Sequence, residues 1–414
     1  METRSWWQKL KHNPLARLAA IVLSIFYISV IFAGFVAPYD PLAQQPSGSL
    51  LPPTQIYWYG QENNRFIGPH IYPTIQGPID LATGQQDLEV DFSRPAPVRL
   101  FVKGNEYRLF ELTIPLITSF SFDGEITLKK LSIFEGIPLS RHLYGTVGDA
   151  SVVNAAAILD AAATAETGEE APSAVATSPA YINIFGTDNA ARDVFSRLVY
   201  GGRISLGIGL IGIAISFPLG LLVGGISGYF GGWVDSFLMR LVEVIMTIPS
   251  IYLLVSLGVI LPPELDSSER FLLIILIISF IGWAGLARVI RGEVLSLKER
   301  TFVQASRSMG GRSLHIITRH ILPQTATYVI ITATLAIPGY IVSEAVLSLI
   351  GLGIQEPDPS WGNMLSAGTD ASTLVLYSWL VWPPAILIVI TVLSFNLLGD
   401  GLRDALDPRS LQER

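Results

Sequence analysis

The sequence predicts an all-α polytopic membrane protein of six spans, with a small β-rich insertion after the first. Three observations carry that expectation. Half of the 414 residues are hydrophobic and only 15% are charged, with a mean hydropathy of +0.48. A soluble domain carries nearer to about a quarter charged residues. Six separate runs are long and apolar enough to cross a bilayer. Residues 88–134 instead alternate in the manner of strands. Composition also excludes some chemistry. There is no cysteine, hence no disulfide framework, thiolate metal site or cysteine nucleophile. The net charge of −7 argues against nucleic acid as a partner. That charge is unevenly spread: residues 38–187 hold 16 acidic and 8 basic side chains, a net of −8, and the rest of the chain sums to +1.

A spanning helix needs about 20 mainly apolar residues. Residues 18–37 offer such a run without a charge, and 204–230 a second. Residues 244–261 form the third, with Arg240 and Glu243 ahead of it, spaced to pair on one helix face. Residues 271–287 are the fourth. The fifth, 325–350, is interrupted by Pro338-Gly339, which should kink it, and by Glu344; the sixth is 378–399. An even number of spans puts both termini on one side. Arg4, Lys9, Lys11 and Arg17 precede the first span, and seven Lys or Arg residues lie between the fourth and fifth. The short loops 262–270 and 353–377 hold one basic residue between them. Bases concentrate on the cytoplasmic side. Both termini and the 288–323 loop are therefore expected inside, and 38–187 outside. The first run exceeds a signal-peptide core and lacks a clean cleavage site, so it reads as an uncleaved anchor.

The insertion, 38–185, divides by composition. Residues 38–84 are rich in Pro, Gly, Gln and Tyr and read as irregular. Residues 98–103 and 107–114 alternate around Gly104-Asn105, a hairpin signal, and 125–131 alternate again. Four or five strands over 88–134 are expected, followed by an Ala/Thr/Glu/Pro linker at 154–180. His70 and His142 show no metal-ligand spacing and read as surface or loop residues. No spacing of Ser, His or carboxylates demands catalysis, so the chain reads as a non-enzyme with a docking domain outside the membrane.

The loop between the fourth and fifth runs is the most informative stretch. Leu295, Phe302, Ala305 and Met309 fall on one helical face, Gly310-Gly311 stops the helix, and a second short helix at 313–320 leads to Pro323. An apolar face on so small a loop fits a partner's groove or the membrane surface, and periodicity does not separate the two.

Gln304-Ala305-Ser306, then Gly310, then Leu322-Pro323 resembles the EAA loop of permease subunits in bacterial ABC importers. Gln304 stands where that pattern has an acid, and His320 where it has Ile. Gly186-Thr187-Asp188, Arg192-Asp193-Val194 and 202–206, with Ala191 in place of a usual Gly, resemble the entry to the second span in the dipeptide/oligopeptide/nickel permease family, C-type subunit. Gly351-Leu352-Gly353 with 359–365 resembles its last external loop, and 396–408 its C-terminal tail. The resemblance covers about 186–408 and the first span.

It implies a type I ABC importer transmembrane domain at 186–402 with a short cytoplasmic tail, 403–414, and an N-terminus, 1–17, on the same side. It places the coupling to an ATPase on Leu295, Phe302, Gln304, Ala305, Ser306, Met309, Gly310, Leu322 and Pro323. It implies a second permease subunit, two ATPase subunits or domains, an external substrate-binding protein and a bacterial inner-membrane location. No cofactor is expected in this chain. No Gly-Lys dipeptide occurs, so the ordinary phosphate-binding loop is missing and ATP and Mg belong to partner subunits. Peptides lead as the substrate, with nickel chelates, glutathione, opines and oligosaccharides as alternatives of the same class. A membrane sensor or an ion-driven secondary transporter would be a different class. Gly220, Gly224 and Gly228, spaced by four, suit close helix packing within this subunit or against a second. Pro338, Gly339 and Glu344 are candidates for a pathway or gating role, with snorkelling of Glu344 as its alternative.

Overall fold

The computed structural model describes residues 3–46, 48–62, 64–79, 86–109, 112–120, 126–134, 136–146, 180–261, 265 and 267–406. The linker expected at 154–180 lies outside the described residues except for Ala180, as does the tail beyond 406. In chain order the helices are α1 (Thr3–His12), α2 (Pro14–Ile31), α3 (Ala33–Val36), α4 (Val194–Phe230), α5 (Gly232–Thr247), α6 (Ser250–Ile260), α7 (Ser267–Leu297), α8 (Thr301–Ser308), α9 (Ser313–Ile316), α10 (Ala326–Leu349), α11 (Trp361–Leu365), α12 (Ala371–Leu376) and α13 (Trp382–Leu406). The strands, all between α3 and α4, are β1 (Tyr57–Tyr59), β2 (Phe66–Ile71), β3 (Thr74–Ile79), β4 (Gln86–Val90), β5 (Ala96–Leu109), β6 (Leu112–Phe120), β7 (Ile126–Phe134) and β8 (Ile137–Thr146).

Five helical stretches among the described residues are long and apolar enough to cross a membrane, or six if the bent pair α5–α6 counts as one. That pair is where the third predicted span departs from expectation. Residues 244–261 do not form one rod: α5 and α6 meet at 84°. Pro249 disfavours a helical conformation in the residue before it, and Ile248 is extended, at φ −82° and ψ 124°. The interruption at Pro338-Gly339 does not divide the fifth span. Pro338 lies inside α10, which is continuous to Leu349. Helix α4 starts ten residues before the apolar run because Asp193 caps it, accepting from Ser196 N at 2.7 Å. At about 1.5 Å per residue its 37 residues exceed the roughly 30 Å of a hydrocarbon layer.

Two compact units emerge. One comprises Met1–Tyr27, Ile204–Gln355 and Ile386–Arg414. Its cores are apolar side chains from different helices. Ile208, Leu254, Ile274, Ile278, Tyr340 and Leu347 form one. Phe217, Leu286, Ile290 and Val294 form another, joined by Val303, Ile316 and Ile321 from the loop after α7.

The other unit comprises Ile28–Arg203 and Glu356–Ala385. Its strands form an antiparallel sheet in the order β1-β2-β5-β8 and two separate pairs, β3-β4 and β6-β7. Three expectations need correction here. Gly104-Asn105 does not turn a hairpin. It lies within β5, where the pairing with β8 shifts between Lys103 and Tyr107. A glycine inside a strand marks such an irregularity or a close approach, and here the His142 ring fills the space a Gly104 Cβ would need. Residues 38–84, expected to be irregular, contain β1, β2 and β3. Their Gly and Pro residues obscure the alternation. His70 and His142 are not surface residues but 0% and 4% exposed. The ring of His70 lies 2.7 Å from Gly68 O and 3.1 Å from the Tyr72 hydroxyl. That of His142 lies 2.6 Å from Ala37 O and 3.0 Å from Asn105 O, which fastens the sheet to the segment after α2.

Candidate functional site

The loop after α7 has two faces. Helix α8 buries Val303 and Ser306 and leaves Phe302, Gln304, Ala305 and Arg307 exposed. Met309 follows at 83% exposure and Leu314 at 60%. Arg300, Arg307, Arg312 and Arg319 of the same loop are exposed. The buried side is fixed to α4 and α7 through the core that contains Val303, Ile316 and Ile321. Leu322 packs half-buried against the same core, and Pro323 is exposed in a short 3-10 turn that leads into α10.

Gly310 ends α8 for a conformational reason. Its φ is +81°, and a Cβ there would meet nothing within 4 Å. The left-handed turn lets Gly310 N donate to Arg307 O and Gly311 N to Ser306 O, both at 3.0 Å. The Gln304 amide donates to Lys298 O at 3.2 Å and Glu299 Oε2 at 3.4 Å, closing the turn ahead of its own helix. Leu295 does not share the face of Phe302. It belongs to α7, which ends at Leu297, and a turn separates the two helices.

The glycine triad faces α7. A Cβ on Gly220 would stand 3.0 Å from Trp283 O, on Gly224 2.5 Å from Ala287 O and on Gly228 2.8 Å from Arg291 O. The backbones of α4 and α7 therefore touch along three successive turns. At the end of this contact lies a group that sequence inspection passed over. Asp235 on α5 accepts from Arg291 Nε at 2.5 Å, from a terminal nitrogen of the same guanidinium at 2.5 Å, and from Ser227 Oγ. Lys298 Nζ donates to Gly228 O at 3.3 Å. The only sequence signal was an acid four residues past Gly231, the glycine that ends α4.

Glu344 is fully buried in α10. Ser205 Oγ donates to Oε2 at 3.2 Å and Ser348 Oγ to Oε1 at 2.7 Å, while Ile354 N donates to Ser348 Oγ at 3.0 Å. The carboxylate thus joins α4, α10 and the turn after α10. Pro338 is buried and Gly339 exposed. Gly339 lines a cavity of about 270 Å³ with Phe217, Ser250, Leu254, Ile278 and Tyr340. The Tyr340 hydroxyl at its wall lies 2.5 Å from Ser216 Oγ. The cavity presents apolar surface with a few hydroxyls, and Gly339 is the one predicted pathway residue on it. Arg240 and Glu243 pair at 3.2 Å, both largely exposed.

In the second unit, motifs far apart in sequence meet. Arg192 bonds Asp188 at 2.8 Å and Glu356 at 2.6 Å. Arg197, 1% exposed, reaches Glu356 at 2.8 Å and Asp188 at 3.4 Å. The Trp361 indole donates to Leu198 O at 2.9 Å, and Gly201 and Gly202 leave room for Ser360 and Trp361. Asp193 is buried beside this network. Burial pushes its carboxyl up to about 7, against the lowering effect of its Ser196 hydrogen bonds. Ala191 holds φ +60°, which explains why a glycine would suit that position. No group of three or more His, Cys, Asp or Glu arranged for a metal occurs among the described residues.

Residues 217–412 match the model of the family described as binding-protein-dependent transport system inner membrane component, and residues 3–53 match that of the N-terminal TM domain of oligopeptide transport permease C. The dipeptide transport system permease protein DppC of Bacillus subtilis is 42% identical over 225 residues, 54% of this chain and 68% of that protein. The oligopeptide transport system permease protein OppC of Haemophilus influenzae is 41% identical over 237 residues, 57% of this chain and 73% of that one. Among solved structures, an inward-facing MetNI methionine ABC transporter chain aligns at 18% identity and a TM-score of 0.38, over 52% of this chain and 97% of that chain.

Proposed function

Because the chain belongs to the family of binding-protein-dependent transport inner membrane components, as a permease subunit akin to the dipeptide and oligopeptide C-type proteins, we propose that it forms half of the translocation pathway of an ATP-driven importer of di- or oligopeptides. A second permease subunit supplies the other half. Two ATPase subunits carry ATP and Mg, and an external binding protein delivers the substrate. Both termini and the loop after α7 lie on the ATPase side, and the β-rich insertion lies outside. Peptide as substrate rests on the names of the relatives.

The observation that carries coupling is the two-faced loop. Its inner face is closed by Val303, Ile316 and Ile321, and its outer face presents Phe302, Ala305 and Met309, with four exposed arginines on the same loop. An amphipathic helix docked in a groove of an ATPase moves with it. The α4–α7 contact and the Asp235–Arg291 pair pass that motion to the spans as a rigid group, a two-state element biased by nucleotide and by loaded binding protein. Glu344 holds the helix that carries Gly339, and the cavity beside Gly339 and Tyr340 is the pathway surface of this half.

The experiment is uptake of labelled peptides into proteoliposomes holding the assembled importer, its binding protein and internal ATP. ATP-dependent uptake is expected. It should vanish with Met309→Asp combined with Gly310→Pro, at normal assembly of the spans. Uptake that survives the double substitution refutes coupling through this loop. Uptake driven by an ion gradient without ATP refutes the importer reading.

A further inference from the structure

The acidic insertion carries a basic, apolar surface where it meets the end of the first span. Helix α3 begins two residues after α2, and the hydrogen bonds Phe32 N to Ile28 O and Val36 N to Phe32 O continue the helical path. Four residues at about 1.5 Å each put Phe35 about 6 Å beyond Ile31. The headgroup layer is about 5–7 Å thick on each side of the hydrocarbon. Phe35 also lies two residues before the end of the apolar run 18–37, and so close to the membrane boundary, whichever side of the membrane that is. Helix α3 packs on both β5 and β8. The Phe101 ring lies 6.1 Å from that of Phe35, and the His142 ring lies 2.6 Å from Ala37 O. These contacts carry the two strands to the same depth.

These strands present exposed apolar and basic side chains together. Leu100 is 67% exposed, Phe101 56%, Ile137 51% and Leu139 41%. Arg99, Lys103, Arg108 and Arg141 are exposed on the same two strands, half of the 8 basic residues in a segment of net charge −8. Glu106 is their only acid. A cavity of about 560 Å³ lies among Phe35, Tyr107, Leu139 and Arg141. A surface for a soluble acidic partner would be basic without so much bare aliphatic side chain, and a protein interface core is depleted of charge. Apolar groups interleaved with Arg and Lys close to the membrane boundary fit lipid, since the bases attract an anionic surface while the apolar groups enter the headgroup region.

We propose that the β5–β8 pair rests on the membrane surface beside the first span and binds the phosphate headgroups of anionic lipid. The insertion is thereby held down at one edge of the sheet, and β1, whose Tyr59 packs on Phe66 of β2, forms the opposite edge. This does not depend on what the importer carries.

The test uses the assembled importer in vesicles of phosphatidylcholine with and without phosphatidylglycerol. The chain has no cysteine, so Leu139→Cys takes one spin label, with Phe66→Cys as the aqueous control and the unsubstituted complex subtracted for the partners' thiols. At position 139, collisions with oxygen should exceed those with a water-soluble nickel chelate several-fold relative to position 66. Phosphatidylglycerol should increase that ratio at least twofold, and Arg99→Gln, Lys103→Gln and Arg141→Gln together should abolish the increase. Ile137→Cys gives an independent reading should Leu139→Cys impair assembly. Equal chelate access at 139 and 66 overturns the proposal. So does shielding of 139 from both reagents, which would mean a second copy or the binding protein covers it. Lipid contact that is indifferent to phosphatidylglycerol overturns the recognition of anionic headgroups.

Discussion

Replacing Gly224 by alanine tests whether α4 and α7 move as one body. The added Cβ would stand 2.5 Å from Ala287 O, 2.9 Å from Ile290 Cβ and 3.1 Å from Arg291 N. Two of these atoms are backbone and cannot swing away, so the helices must separate by roughly 0.5–1 Å, an overpacking that costs about 1–3 kcal/mol. Alanine also gains about 1 kcal/mol over glycine in a helix interior. Gly292→Ala on α7 is the control. It shares the propensity gain, and its Cβ meets nothing within 4 Å. The difference between the two variants isolates the steric cost, about 1–3 kcal/mol. Unfolding of such a complex in detergent is irreversible, so the assay is the half-life of the monodisperse species on size exclusion after heating. Gly224→Ala should decay about 5- to 150-fold faster than Gly292→Ala. Equal half-lives would mean that the helices are not in backbone contact and that a rigid α4–α7 pair does not transmit the motion.

Three further outcomes follow from single residues. Met309→Ala removes a side chain 83% exposed within this chain, so thermal stability should change by less than about 0.5 kcal/mol; ATP-dependent uptake should nevertheless fall at least about tenfold in proteoliposomes while ATP hydrolysis persists. Ala191→Gly removes a Cβ from a left-handed residue at φ +60°; relief of about 1–2 kcal/mol, less the extra entropy of an unfolded glycine, should stabilise the complex by about 0.5–1 kcal/mol in the same heating assay. Asp193, raised to about 7 by burial, holds a proton that the unfolded chain has released above about pH 4. Its contribution is thus fully present below about pH 4 and is lost as pH rises towards 7, at up to about 1.4 kcal/mol per pH unit. Asp193→Asn keeps an acceptor for Ser196 N and should remove that component of the slope between pH 5 and pH 8, read as the temperature of half-survival.

The span helices were legible because a bilayer demands about 20 apolar residues whatever else a helix does. Their ends were not. The start of α4 at Asp193 depends on a cap that hydropathy does not register, and the 84° bend at Ile248-Pro249 was hidden inside an unbroken apolar run. Pro338 shows the converse, since the helix runs on through a residue that interrupts the apolar pattern. The Phe302–Met309 periodicity predicted one face of α8, but Leu295 was drawn into it by counting across the turn at 298–300. The strands failed for another reason. Gly104 is in β5 because it makes room for His142, a contact between residues 38 positions apart that no local pattern announces. Glu344 stood out in the sequence as a costly charge. That Ser205, from a helix more than a hundred residues earlier, would meet it could be learned only from the packing.

The loop after α7 also shows why residues proposed to couple to a partner are the hardest to read from one chain. Burial explains Val303, Ile316 and Ile321, and a positive φ explains Gly310. Neither explains Phe302 or Met309, whose exposure offsets nothing in this chain. A large apolar side chain held in water on a rigid support is a cost that folding alone would not retain. On the proposed reading its compensation lies in another molecule. The same support makes the arrangement useful: a flexible loop would absorb a partner's movement, whereas one closed on its inner face by α4 and α7 passes the movement on. On the proposed coupling, the contrast between the two faces of α8 fits an ATPase groove, and a variant that loosens Val303 should uncouple transport as effectively as one that removes Met309, with Phe302 and Met309 still in place.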